Sequence, residues 1–127
     1  MTSTATKFLA LSCLCLALTL AADTARAGDA SPELQRFVLE IRDRAVQHDG
    51  DVIRVTQGQQ VELVWTSDEP VQLHLHGYDI EFDVEPGTAT SRSFKAHATG
   101  RFPITSHGFG DHQHGHQTLL YLEVHPD

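Results

Sequence analysis

The sequence predicts an all-β fold, an antiparallel β-sandwich, and three observations carry that prediction. Apolar residues alternate with polar ones at the period of a strand rather than a helix. Turn-forming residues return about every ten positions. Behind an N-terminal leader lie about 100 residues, enough for one hydrophobic core and too few for two.

The leader comes first. Lys7 supplies a positive charge, Phe8 to Ala22 form an apolar stretch too short to span a bilayer, and Ala25-Arg26-Ala27 offers small residues at alternate positions. Residues 1–27 therefore read as a signal peptide cut between Ala27 and Gly28, and residues 28–127 as one domain, destined for the periplasm or the exterior. Cys13 and Cys15 raise the alternative of a lipid anchor. Apolar residues continue on both sides of them, and neither has Leu or Val three places ahead, which argues against it. After cleavage the sequence offers no membrane attachment.

Gly28 to Glu33 is short and polar, a lead into the fold. Phe37, Leu39 and Ile41 alternate with polar neighbours as a first strand, although the charge pattern of Pro32 to Ala45 also suits a helix. Val52 to Val55 and Val61 to Trp65 are two strands joined by the tight turn Thr56-Gln57-Gly58-Gln59. Val71, Leu73 and Leu75 alternate with Gln72, His74 and His76, so one face is apolar and the other carries two imidazoles. Ile80, Phe82 and Val84 repeat the pattern before Pro86-Gly87. Phe94, then Phe102 and Ile104, flank a turn at Gly100, and Leu120, Leu122 and Val124 form the last strand.

The formal net charge is −8, one unit more negative once Lys7, Asp23 and Arg26 leave with the leader. Such a surface repels nucleic-acid phosphates and anionic lipids, which excludes both as partners. The two cysteines and the one methionine all lie in the leader, so the domain holds neither a disulfide nor a sulfur ligand.

Nine histidines are a large excess for this length, and six fall in two windows. In His74-Leu75-His76, an extended backbone points both rings to one side, about 7 Å apart by strand rise. In the second window, His107 to His116, the histidines are His107, His112, His114 and His116, and glycines let the segment fold over a ligand as a loop. Imidazole is a borderline donor that suits copper, zinc or nickel and binds only when neutral, as much of it is near pH 7. The candidate metal ligands are therefore His76, His107 and His116, followed by His74, His114 and His112. His107 ranks high because it directly follows a core strand, which fixes its backbone. His48, His97 and His125 are isolated and read as solvated side chains.

The run Val52-Ile-Arg-Val-Thr-Gln-Gly-Gln-Gln-Val-Glu-Leu-Val-Trp65, a histidine at the end of the following strand, and a histidine-bearing segment before Leu119-Leu-Tyr-Leu-Glu-Val124 together resemble the cupredoxins. The segment His74-Leu-His-Gly-Tyr-Asp79 is similar to that of exported bacterial cupredoxin-like proteins. The resemblance implies a Greek-key sandwich and a copper site at one rim. His76, or His74, matches the family's first ligand histidine. Ser106 stands roughly where the family has its ligand cysteine, with His107 after it, and the domain has no methionine. A blue copper-thiolate site is thereby excluded. The ligand set read from this sequence is nitrogen-only instead, with Asp79 or Asp111 as an oxygen donor or an orienting partner. Either a divalent ion or copper(I) between two imidazoles fits that donor set.

Three function classes follow. The first is an exported copper-binding protein for storage, transport or buffering, exchanging the ion with a donor or acceptor protein. The second is a zinc- or copper-dependent enzyme with an open three-histidine site and Asp79 or Glu81 as base. The third is a metal-free sandwich serving as an interaction module. No nucleophile elbow or cofactor fingerprint accompanies the histidines, which places the enzyme second. The sequence leaves the oligomeric state open.

Overall fold

A computed structural model of the chain describes residues 33–109 and 112–127, with the backbone alone for residues 112–114. The leader, its cleavage site, Gly110, Asp111 and the rings of His112 and His114 lie outside the described residues.

Nine strands pack as two sheets: β1 (Leu34–Arg42), β2 (Ala45–Val46), β3 (Val52–Thr56), β4 (Gln60–Ser67), β5 (Val71–Leu75), β6 (Ile80–Val84), β7 (Thr90–Lys95), β8 (Gly100–Phe109) and β9 (His112–His125). One sheet has the order β2-β1-β4-β7 and the other β3-β9-β8-β5-β6. Residues 34–42, which also suited a helix, form a strand because only a period of two turns Phe37, Leu39 and Ile41 inward together. On the opposite side of the same strand Val38 is 69% exposed.

The sheets are mixed, where the sequence suggested purely antiparallel pairing. Five pairings among the described residues are antiparallel, but β1 runs parallel to β4 and β3 parallel to β9. The cause lies in the turn Thr56 to Gln59. It is not a hairpin: it carries the chain from one sheet to the other, held by Gly58 N–H to the Ala96 carbonyl and Gln57 N–H to the His125 carbonyl, each 2.8 Å. Gly58 supplies the required φ of 91°. The turn before Gly100 crosses between sheets in the same way. Parallel neighbours need such crossovers.

Between the sheets, Leu39, Ile41, Leu63 and Trp65 face Leu73, Leu75, Ile104, Leu120 and Leu122, all at 2% exposure or less. Ile53 and Val55 of β3 and Leu120, Leu122 and Val124 of β9 are all in this core. Burial of these side chains, at ~1.5–3 kcal/mol each, is what drives a domain without disulfides to fold.

The histidine-rich segment is not a loop. β8 continues to Phe109 and β9 begins at His112, so the segment is the end of a long hairpin in which His107 lies directly opposite His116. It carries little of the apolar alternation that marks a strand; the backbone ladder with β8 makes it one. Register shifts at Ile104/Thr105 and at His107/Phe109 bend this hairpin relative to the core.

Candidate metal centre

Strand alternation builds the site. On β5, Val71, Leu73 and Leu75 are buried and His74 points the other way. On the neighbouring β8, Ile104 and Ser106 are buried, while Thr105 and His107 share the face of His74, its cross-strand partner being Thr105. His76 follows β5 directly, anchored by its N–H to the Pro103 carbonyl at 3.1 Å. The chain then reverses through Gly77 and Asp79, both at positive φ (82° and 55°). A methyl group at Gly77 would run into the Phe102 ring, so only glycine lets the turn close against β8.

Three imidazoles meet there. His74, His76 and His107 each offer a ligand atom, and these atoms lie within 4.8 Å of one another. The ring centroids of His74 and His76 are 3.9 Å apart, well inside the backbone spacing expected of an extended strand, because the strand ends between them. His107 lies 5.4 Å from His74 and 6.5 Å from His76. His116 contacts only the outer side of this group, its ring perpendicular to that of His107 at 4.5 Å. It is exposed, whereas the other three are half-buried.

The polar atoms of the cluster are poorly satisfied by protein. His74 Nδ1 and His107 Nε2 are buried without a hydrogen-bond partner. Glu81 Oε1 approaches His74 Nδ1 to 3.4 Å without hydrogen-bond geometry, and the fully exposed Asp79 stands 3.9 Å from His74 Nε2. Burying a bare imidazole nitrogen costs about 1–3 kcal/mol, and a cation shared between such nitrogens removes that cost. His76 differs, since its Nε2 is 2.9 Å from Thr105 Oγ1, which fixes the ring and leaves Nδ1 available.

Desolvation lowers the pKa of His76 below its ordinary value, and the neighbouring charges of His74, His107 and His116 lower it further, against an opposing effect of Glu81. At pH 7 this imidazole is therefore neutral, the form a metal requires. The donor set, imidazole nitrogens with carboxylates beside them, fits a late transition metal.

An open cleft of ≈ 200 Å³, lined by Gln72, Asp83, Glu85, His107 and Gly108, reaches one side of the cluster. Of the six histidines the sequence singles out, the structure unites three and sets His116 beside them; the rings of His112 and His114 fall outside the described residues. His48, His97 and His125 are exposed and make no ring contact with the cluster, and His97 packs edge-on against Tyr78 at 4.8 Å. Asp111 is likewise outside the described residues. Thr105 escaped sequence reasoning because its contact depends on the β5–β8 register, which no local pattern reveals. Ser106, at the position suggested for the family's cysteine, is fully buried, with its hydroxyl turned to the Gln117 carbonyl at 3.5 Å. The side chains that reach the cluster from this segment are its neighbours Thr105 and His107.

No family model and no curated protein sequence matches the chain. Among solved structures it superposes on a blue copper oxidase from Nitrosomonas europaea with a TM-score of 0.58 and 21% identity, covering 75% of this chain and 40% of that one. It superposes on a copper binding protein in its apo form with a TM-score of 0.55 and 12% identity, covering 72% and 87%. A heme-copper terminal oxidase gives a TM-score of 0.56 at 20% identity, with 73% and 65% covered. The chain thus spans two fifths of the blue copper oxidase and about two thirds of the terminal oxidase chain. Identities this low speak to the fold, and together with the two mixed sheets they show that this chain has the cupredoxin-like fold.

Proposed function

We propose that the chain is an exported copper-binding protein, which stores, carries or buffers the ion through a nitrogen-only site of His74, His76 and His107. The observation that carries the reading is the convergence of three imidazole ligand atoms within 4.8 Å, two from β5 and β8 and the third from just past the end of β5. Copper is favoured over nickel and zinc by the general affinity order of nitrogen sites, and copper is named in the structures that share the fold. The absence of sulfur donors from residues 28–127 argues against a blue centre and for an ion held as cargo. The leader supports export, and a soluble donor or acceptor protein would exchange the ion.

In this reading His76 binds through Nδ1, oriented by Thr105, and Glu81 lends negative charge beside His74. The enzyme alternative needs a base facing an open position. Glu81 instead faces the ring of His74, 3.4 Å from its Nδ1. The metal-free alternative leaves two buried imidazole nitrogens without partners and gives no reason for their convergence.

The test is calorimetric titration of metal-stripped protein, with electron paramagnetic resonance of the copper(II) form. The expected result is one tight copper site whose nitrogen hyperfine pattern is lost in His76→Ala. Binding of copper and zinc no tighter than about 1 mM (about −4 kcal/mol) would refute the reading.

A further inference from the structure

The four described imidazoles of the cluster are graded. His74 and His76 form the closest ring pair, His107 lies next to both, and His116 touches His107 alone while exposed to solvent. Three belong to the convergent set and the fourth does not. The arrangement is built into the backbone, since His107 and His116 are direct cross-strand partners whose separation the β8–β9 ladder holds fixed. A cleft of ≈ 150 Å³ opens at His116, lined also by Arg44, Ser106, Phe109 and Gln117. His116 is itself exposed, so its ring is open to solvent.

A cation held by half-buried imidazoles faces a kinetic difficulty. Losing one nitrogen without gaining another is slow, and a strong chelator in solution cannot reach buried ligand atoms. Resting on the copper-binding reading above, we infer that His116 is a transfer ligand, the imidazole through which copper passes between solvent and the inner set of His74, His76 and His107. In the exchange one metal–nitrogen bond forms at His116 as one breaks at His74 or His76, with His107 common to both positions. The oxidation state of copper does not change, and the neutral imidazole gained replaces the neutral imidazole lost. Because the residue lowers the barrier in both directions, it accelerates loading and release while leaving the equilibrium almost unaltered.

The experiment compares wild type, His116→Ala, His116→Gln and His107→Ala. Equilibrium affinity for copper(II) is measured by competition, and loading and EDTA-driven removal by stopped flow, with His48→Ala as a surface control. Both His116 variants are expected to keep the dissociation constant within about threefold while slowing loading and removal alike by about tenfold or more. His48→Ala should match wild type. Unchanged rates in the His116 variants would overturn the inference. So would a loss of affinity equal to that of His107→Ala, since His116 would then be one of the holding ligands. A wild-type protein that binds no copper would instead sink the function proposed above.

Discussion

The outer face of the five-stranded sheet has two halves that differ in how their polar groups are satisfied. At the β3–β9–β8 end, Arg54 pairs with Glu123 at 3.0 Å, Arg101 approaches the same carboxylate at 3.6 Å, and the Arg101 guanidinium stacks on the Tyr121 ring at 4.1 Å. At the β5–β8 end, His74 and His107 bury ring nitrogens that have no hydrogen-bond partner. Both halves obey the same strand alternation. One is a closed network of opposite charges. The other gathers like groups that repel when protonated and gain only from a cation between them. Unsatisfied, convergent donors mark a site, whereas satisfied ones mark a surface.

The largest expected effect breaks the imidazole half directly. His107→Ala should weaken copper binding by about 100-fold or more, read by competition titration, with the melting temperature of the ion-free protein little changed. An affinity unaltered by this change would show that the two halves do not differ in function.

Acidification comes next. Folding lowers the pKa of His76 from an ordinary 6.5, so protons favour the unfolded chain. The stability this ring contributes to the ion-free protein is full above pH 6.5 and declines as the pH falls through the lowered value. Copper meets the same competition, and its affinity should drop by about 100-fold between about pH 7 and about pH 5. A flat pH profile would place the ion on carboxylates rather than imidazoles.

A third change acts through the turn that sets His76. Gly77→Ala combines a positive φ with a clash against Phe102 and should cost about 1–3 kcal/mol in denaturant titration. It should also weaken copper binding, because His76 leads into that turn. The smallest effect belongs to the other half of the face. Arg54→Ala removes a solvent-exposed ion pair and should shift stability by under about 0.5 kcal/mol, with copper affinity untouched.

Period-two alternation made most strands legible: Phe37, Leu39 and Ile41 in β1, and Leu120, Leu122 and Val124 in β9, all point where the pattern placed them. Sheet membership was not legible. The residues Thr56 to Gln59 have the composition of a hairpin turn, and only their bonds to Ala96 and His125, distant in sequence, reveal a crossover. The histidine windows were visible by composition alone, and strand geometry put His74 and His76 on one side, but their close approach comes from β5 ending between them. That His107 joins them depends on β5 lying beside β8 in one register, and Thr105 could be found in no other way. The hairpin end was hidden for a similar reason, since glycine and histidine announce no strand and the ladder with β8 supplies the bonding.

The hydroxyl of Thr105 sits 2.9 Å from His76, on the strand that also carries His107. Replacing Thr105 by cysteine would put a soft, electron-rich sulfur donor beside His76. With copper(II), Thr105→Cys should give a coloured protein with intense visible absorption, and Ser106→Cys, whose side chain turns into the core, should stay pale. The difference between a nitrogen-only site and one with a thiolate donor thus comes down, in this domain, to the side chain at one position of β8.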